Sequence, residues 1–167
     1  ACRYVRIGTD VQCRSIPMNF SFNKGKQQLE NVVFTFNRYG LIDGVQFAME
    51  EIAARSVMND QNVDELSRLT LLNFLENYKT AFALKRLDYI ESIFSDDAVI
   101  ITGTVVKRPQ NVMNEGQGLS LNENQIIYKT HTKMEYVTNL RRVFAQNEFI
   151  NIRLANNKVK KMGIGGE

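Results

Sequence analysis

Few residues in this chain are of catalytic type, and their spacing limits what they could do. The single histidine, His131, stands directly before a threonine that can cap a helix. It reads as an exposed loop residue, with no partner near it in sequence to make it a general base. Asp96 and Asp97 are adjacent carboxylates, a type that can share a proton, but neighbours on a strand point to opposite faces. They read instead as a turn and strand start, since aspartate favours such backbone bends. Cys2 and Cys13 are the only cysteines. They are either structural or free thiols, or a disulfide if the protein is exported. One distant histidine does not complete a zinc site with them. There is no glycine-rich phosphate loop, nucleophile elbow or His-Glu-x-x-His helix, and Gly163–Gly166 lacks the helix a phosphate site needs. The residues therefore call for no metal and no cofactor.

The elements that would position such residues can be read along the chain. With 167 residues, 44% apolar and 23% charged, the sequence belongs with folded proteins and not with disordered or disulfide-dense ones. No apolar run approaches the roughly 20 residues of a membrane-spanning helix. Residues 1–60 read as β-rich. Tyr4–Ile7 and Val11–Ile16 are expected strands, with Pro17 ending the second. Val32–Phe36 and Leu41–Phe47 form an expected hairpin around Asn37-Arg38-Tyr39-Gly40, and Asp43-Gly44 marks either a bulge or a delayed strand start. Glu50–Met58 is a short helix-prone run.

Residues 61–167 change character. The clearest helix spans 62–84, with Asn62 as cap and Glu65 completing a capping box. Leu71, Phe74, Leu75, Tyr78 and Phe82 recur along it at three- and four-residue spacing, as one apolar stripe. A shorter helix carries Leu87, Ile90, Ile93 and Phe94, and Ala98–Thr102 reads as a buried strand. Thr104–Lys107 and Gln125–Thr130 are expected strands around a polar loop, Pro109–Asn124. Thr132 and Glu135 form a second capping box, opening a helix through Phe144. Phe149–Leu154 and Lys158–Met162 form an expected hairpin turning at Asn156-Asn157. Helices segregated from antiparallel strands indicate an α+β fold.

The stretch LLNFLENYKTAFALKRLDYIESIFSDDAVIITG resembles the nuclear-transport-factor-2-like superfamily, which includes SnoaL-like cyclases and ketosteroid isomerases. The resemblance extends over about 62–167. It implies a cone-like, curved antiparallel sheet with three packing helices, preceded here by the β-rich segment. The superfamily adds further long strands after the hairpin that this chain reaches before Glu167. The expectation is therefore a domain without its last strands, cut at both ends, with a sheet edge free to pair. CRSIPMNFSF, VVFTFN and FAQNEFINIRLANNKVKKMG, with the helical stretch, also resemble a family of exported Bacteroidetes proteins of unassigned activity. That likeness implies an exported, periplasmic or cell-envelope location.

What the resemblance implies for chemistry is incomplete. Isomerase chemistry needs a carboxylate base and an oxyanion donor. Tyr78, 18 residues before Asp96, stands where the family places a donor. The base position falls on Thr102, which has no acidity to serve near neutral pH. No catalytic residue is therefore assigned. The favoured expectation is a non-catalytic binding or assembly module, with a SnoaL-like enzyme acting on a small apolar substrate as the alternative. An expected ligand pocket between the helix and the sheet would be lined by Phe74, Tyr78, Phe82, Ile101 and Thr102. A small apolar ligand and a homodimer, or other protein, at the sheet edge are the expected partners.

Charge sharpens this only slightly. The net charge of +3 is too small to imply nucleic acid. It is uneven, since residues 129–161 hold eight Lys or Arg against Glu135 and Glu148, leaving the remainder acidic. Solvated helix and strand faces explain that excess most simply, with a basic face for an anionic ligand or partner as the alternative.

Overall fold

The computed structural model describes residues 3–22, 25–107 and 124–154. Strands β1 (Arg3–Ile7), β2 (Asp10–Ser21), β3 (Gln27–Phe36) and β4 (Ile42–Phe47) form an antiparallel sheet in chain order. The hairpin turn works as its sequence implies. The Asn37 side chain accepts from the N–H groups of Tyr39 and Leu41, and Gly40 takes the left-handed conformation at φ 76°. Asp43-Gly44 is a bulge: Thr35 pairs with Gly44 and Phe36 with Ile42, so Asp43 has no residue opposite.

Strand β2 does not stop at Pro17 but continues to Ser21. Pro17 lies opposite Asn31, whose carbonyl accepts from the Ala48 N–H at 2.7 Å. The N–H and C=O of one strand residue point the same way, so those of Asn31 face away from β2. Pro17 thus occupies a non-hydrogen-bonded pair, its nitrogen aimed at the open edge, and its missing N–H removes no ladder bond.

Helix α1 (Glu51–Met58) follows the sheet, then α2 (Glu65–Ala83) and α3 (Leu87–Ile93). The cap of α2 is Asp64 and not Asn62. Asp64 is extended, and its carboxylate accepts from the Ser67 N–H at 2.9 Å. Asn62 is held by Asp60, to which both its backbone and its side chain donate. Strands β5 (Val99–Lys107) and β6 (Asn124–Thr132) pair as a separate two-stranded antiparallel sheet, and α4 (Lys133–Gln146) follows. Thr132 and Glu135 cap α4 reciprocally, as expected.

Two further expectations are corrected. The strand over Ala98–Thr102 is not buried: among the described residues β5 pairs with β6 alone, and both Val99 and Ile101 are exposed. Phe149–Leu154 is not a strand. Its alternating apolar residues pack without a ladder: Ile150 and Ile152 join one core cluster, and Leu154 joins another. The expected partner arm Lys158–Met162, its turn, and the loop over 109–123 lie outside the described residues.

The first cluster centres on Ala81, Phe82, Ile90, Leu140 and Phe144, where α2, α3 and α4 meet. The second, Met49, Ala53, Val57 and Leu72, joins α1 to α2. Among the described residues the fold is α+β, with four helices and two antiparallel sheets not closed into a barrel. No helix among them is long and apolar enough to cross a membrane.

The face of α2 toward the first sheet is polar. Glu76, Lys79 and Thr80 are buried, although the apolar stripe implies burial of Phe74, which is exposed. Arg14 on β2 pairs with Glu76, and Lys79 donates to Glu30 Oε2 at 3.2 Å and the Ala48 carbonyl at 2.9 Å. The Phe47 N–H donates to Thr80 Oγ1, and the Met49 N–H to Glu76 Oε1. These bonds answer the backbone donors that follow β4, which is how the helix accepts a sheet without an apolar contact face.

Candidate functional site

The β5–β6 ribbon combines local simplicity with unusual exposure. β-Branched residues dominate both strands, which favours extension. The register sets Ile101 opposite Thr130, Gly103 opposite Tyr128, and Val105 opposite Ile126. Alternation therefore gathers Val99, Ile101, Val105, Ile126 and Tyr128 on one face. That face is open to solvent, with Ile101 64% and Tyr128 68% exposed. Gly103 makes it level. A Cβ there would lie 3.0 Å from Ile126 Cγ2 and 3.3 Å from Tyr128 Cε1, so the missing side chain leaves room for both neighbours to lie across it. From Val99 to Val105 and on their β6 partners the face holds no charged residue, and Lys107 stands at its far end.

The opposite face is covered at one end. His131 is 8% exposed, and its Nε2 lies 2.9 Å from Thr102 Oγ1. His131 is thus a buried strand residue and not an exposed loop residue. Its place next to the helix cap concealed this. The Thr102 partner, 29 positions away, leaves no local sequence signal.

The residues expected to line a pocket are distributed as follows. Phe74, Tyr78 and Phe82 form a ring ladder along α2, with centroids 6.4 and 4.9 Å apart. The Tyr78 hydroxyl pairs with that of Tyr136 on α4, and burial, then that pairing, pushes its pKa up. Tyr78 is therefore a hydroxyl that keeps its proton near neutral pH. Thr102 bonds to His131 on the covered ribbon face, whereas Ile101 points to the open one. The structure thus joins the three α2 aromatics in one row and separates Ile101 from Thr102.

The acidic pair holds the chain beside α4. Lys133 Nζ donates to Asp96 at 2.8 Å and keeps that carboxyl below its usual range, while Ser95 does the same for Asp97. Both sit in the turn before β5, and both remain acceptors. Among the described residues, no three His, Cys, Asp or Glu side chains converge as a metal site. Cys13 is buried and disulfide-bonded. The chain's other cysteine, Cys2, lies outside the described residues.

No family model, curated protein or solved structure matches this chain.

Proposed function

We propose that the protein is a non-catalytic assembly module of an exported protein, and that a second copy docks on the open β5–β6 face. The observation that carries this reading is the row Val99, Ile101, Val105, Ile126 and Tyr128, all exposed on one side of a two-stranded ribbon. A two-stranded hairpin is marginal in water and gains stability from whatever covers it. A contiguous exposed apolar patch is the usual mark of a docking surface. A second copy suits it because the stretch from Val99 to Val105, with its β6 partners, holds no charged residue and meets its own image without repulsion, as a two-fold dimer requires. The row is small beside the roughly 20–30 residues a side of standard interfaces. A weak dimer is the expected product.

Export is supported by the disulfide at Cys13, which persists in oxidising compartments. The order of two helices, a strand pair and a third helix supports the nuclear-transport-factor-2-like reading of residues 61–167. Light scattering tests the assembly role. The expected result is mass rising toward the dimer with concentration, and a Tyr128→Glu variant that keeps its circular dichroism but stays monomeric. A native chain that remains monomeric at millimolar concentration refutes the role.

A further inference from the structure

A second surface, independent of the ribbon, lies where β1 and β2 meet α1 and α2. A groove of about 730 Å³ opens there. This size falls in the range of small-molecule sites. Its floor includes Met49, Met58 and Leu72, side chains of the α1–α2 core cluster. Methionines adapt their shape to flexible apolar chains. Arg3, Arg14 and Arg55 also line it, against the single carboxylate of Glu51.

The charges there do not balance. Arg14 is answered by Glu76 below it. Arg3 and Arg55 share one oxygen, Glu51 Oε1, at 3.4 and 2.6 Å. One carboxylate between two guanidiniums leaves a positive charge unanswered at the mouth of an apolar floor. Guanidinium is the side chain best shaped to take a carboxylate through two parallel hydrogen bonds.

We infer that this groove binds an amphipathic carboxylate, with its apolar chain along Met49, Met58 and Leu72 and its head group between Arg3 and Arg55. A cationic amphiphile of equal length meets the same floor and the wrong charge. A neutral alcohol meets the floor alone.

Calorimetric titration of the folded chain with dodecanoate, below its micelle concentration, tests this. The expected result is one saturable site, weakened about tenfold or more by combined Arg3→Gln and Arg55→Gln, which remove charge-assisted bonds. Dodecanol binding should be unchanged by that pair of substitutions. Ala54→Phe, which adds bulk to the groove lining, should abolish binding of both. The arginine pair is exposed and outside the core, so its result stands even if Ala54→Phe fails to fold. No saturable dodecanoate binding, equal binding of dodecyltrimethylammonium, or indifference to the arginine substitutions overturns the inference. Tighter binding of dodecyl phosphate than of dodecanoate overturns the carboxylate assignment.

Discussion

Glu76 has no exposed surface, yet it carries the counter-charge to Arg14, 62 positions earlier, and accepts from the Met49 N–H. Burial pushes its pKa up, and the nearby Arg14 pulls against that shift. A carboxyl whose folded pKa is raised contributes stability that is present below its unfolded pKa and lost as pH rises through the folded one. Asp96, Asp97 and Glu135 are shifted the other way, so their contribution is lost as pH falls below the ordinary carboxylate range. The two windows lie on opposite sides of that range. Glu76→Gln should therefore gain on the native chain as pH climbs above about 4.5, with urea midpoints at several pH values as the measurement. A midpoint difference that stays flat from acid to neutral pH contradicts the assignment. Nothing in the sequence marks Glu76 as buried. Charged residues on a helix read as its solvent face, and only the arrival of Arg14 and Met49 from elsewhere in the chain makes the interior tolerable.

Elements were legible where their determinants are local. The α4 capping box needs only Thr132 and Glu135, and both hydrogen bonds form. Thr132→Ala should destabilise the protein by about 1 kcal/mol. Thermal or denaturant unfolding measures this, and an unchanged midpoint would mean that packing alone fixes the start of α4. The Asn37–Gly40 turn and the Asp43-Gly44 bulge are local in the same sense. The start of α2 was less legible because two capping side chains, Asn62 and Asp64, lie within three positions. Asp60 occupies the first and leaves the helix to the second. Less legible still was whatever depends on a distant partner. His131 is buried, and its side-chain partner Thr102 comes from the neighbouring strand 29 positions away. Phe149–Leu154 alternates like a strand, but its alternation serves two side-chain clusters and no backbone ladder. Of the expected pocket residues, the α2 row followed from helical spacing. The relation of Ile101 to Thr102 depended on strand alternation, which separates neighbours. The open face of β5–β6 could not be read at all, because a run of β-branched residues looks the same whether covered or not.

At the scale of the whole molecule, strand pairing leaves more than one place where another chain could attach. The ribbon presents a level apolar face. The outer side of β2 beyond Arg14 is another such place, since β1 pairs with β2 only as far as Arg14 among the described residues. These two differ in what they permit. The number of attachment points per molecule decides whether association closes into a pair or propagates without limit. Pro17, with its nitrogen turned outward, withholds a donor from the β2 edge and so opposes growth through it. Pro17→Val restores that donor and leaves the β2–β3 ladder intact. Light scattering of this variant should rise past the dimer and keep rising with time. If it stops at the dimer, something other than this proline limits growth. If two copies pair through the ribbon as proposed, one pyrrolidine ring on β2 then stands between a closed pair and continued growth.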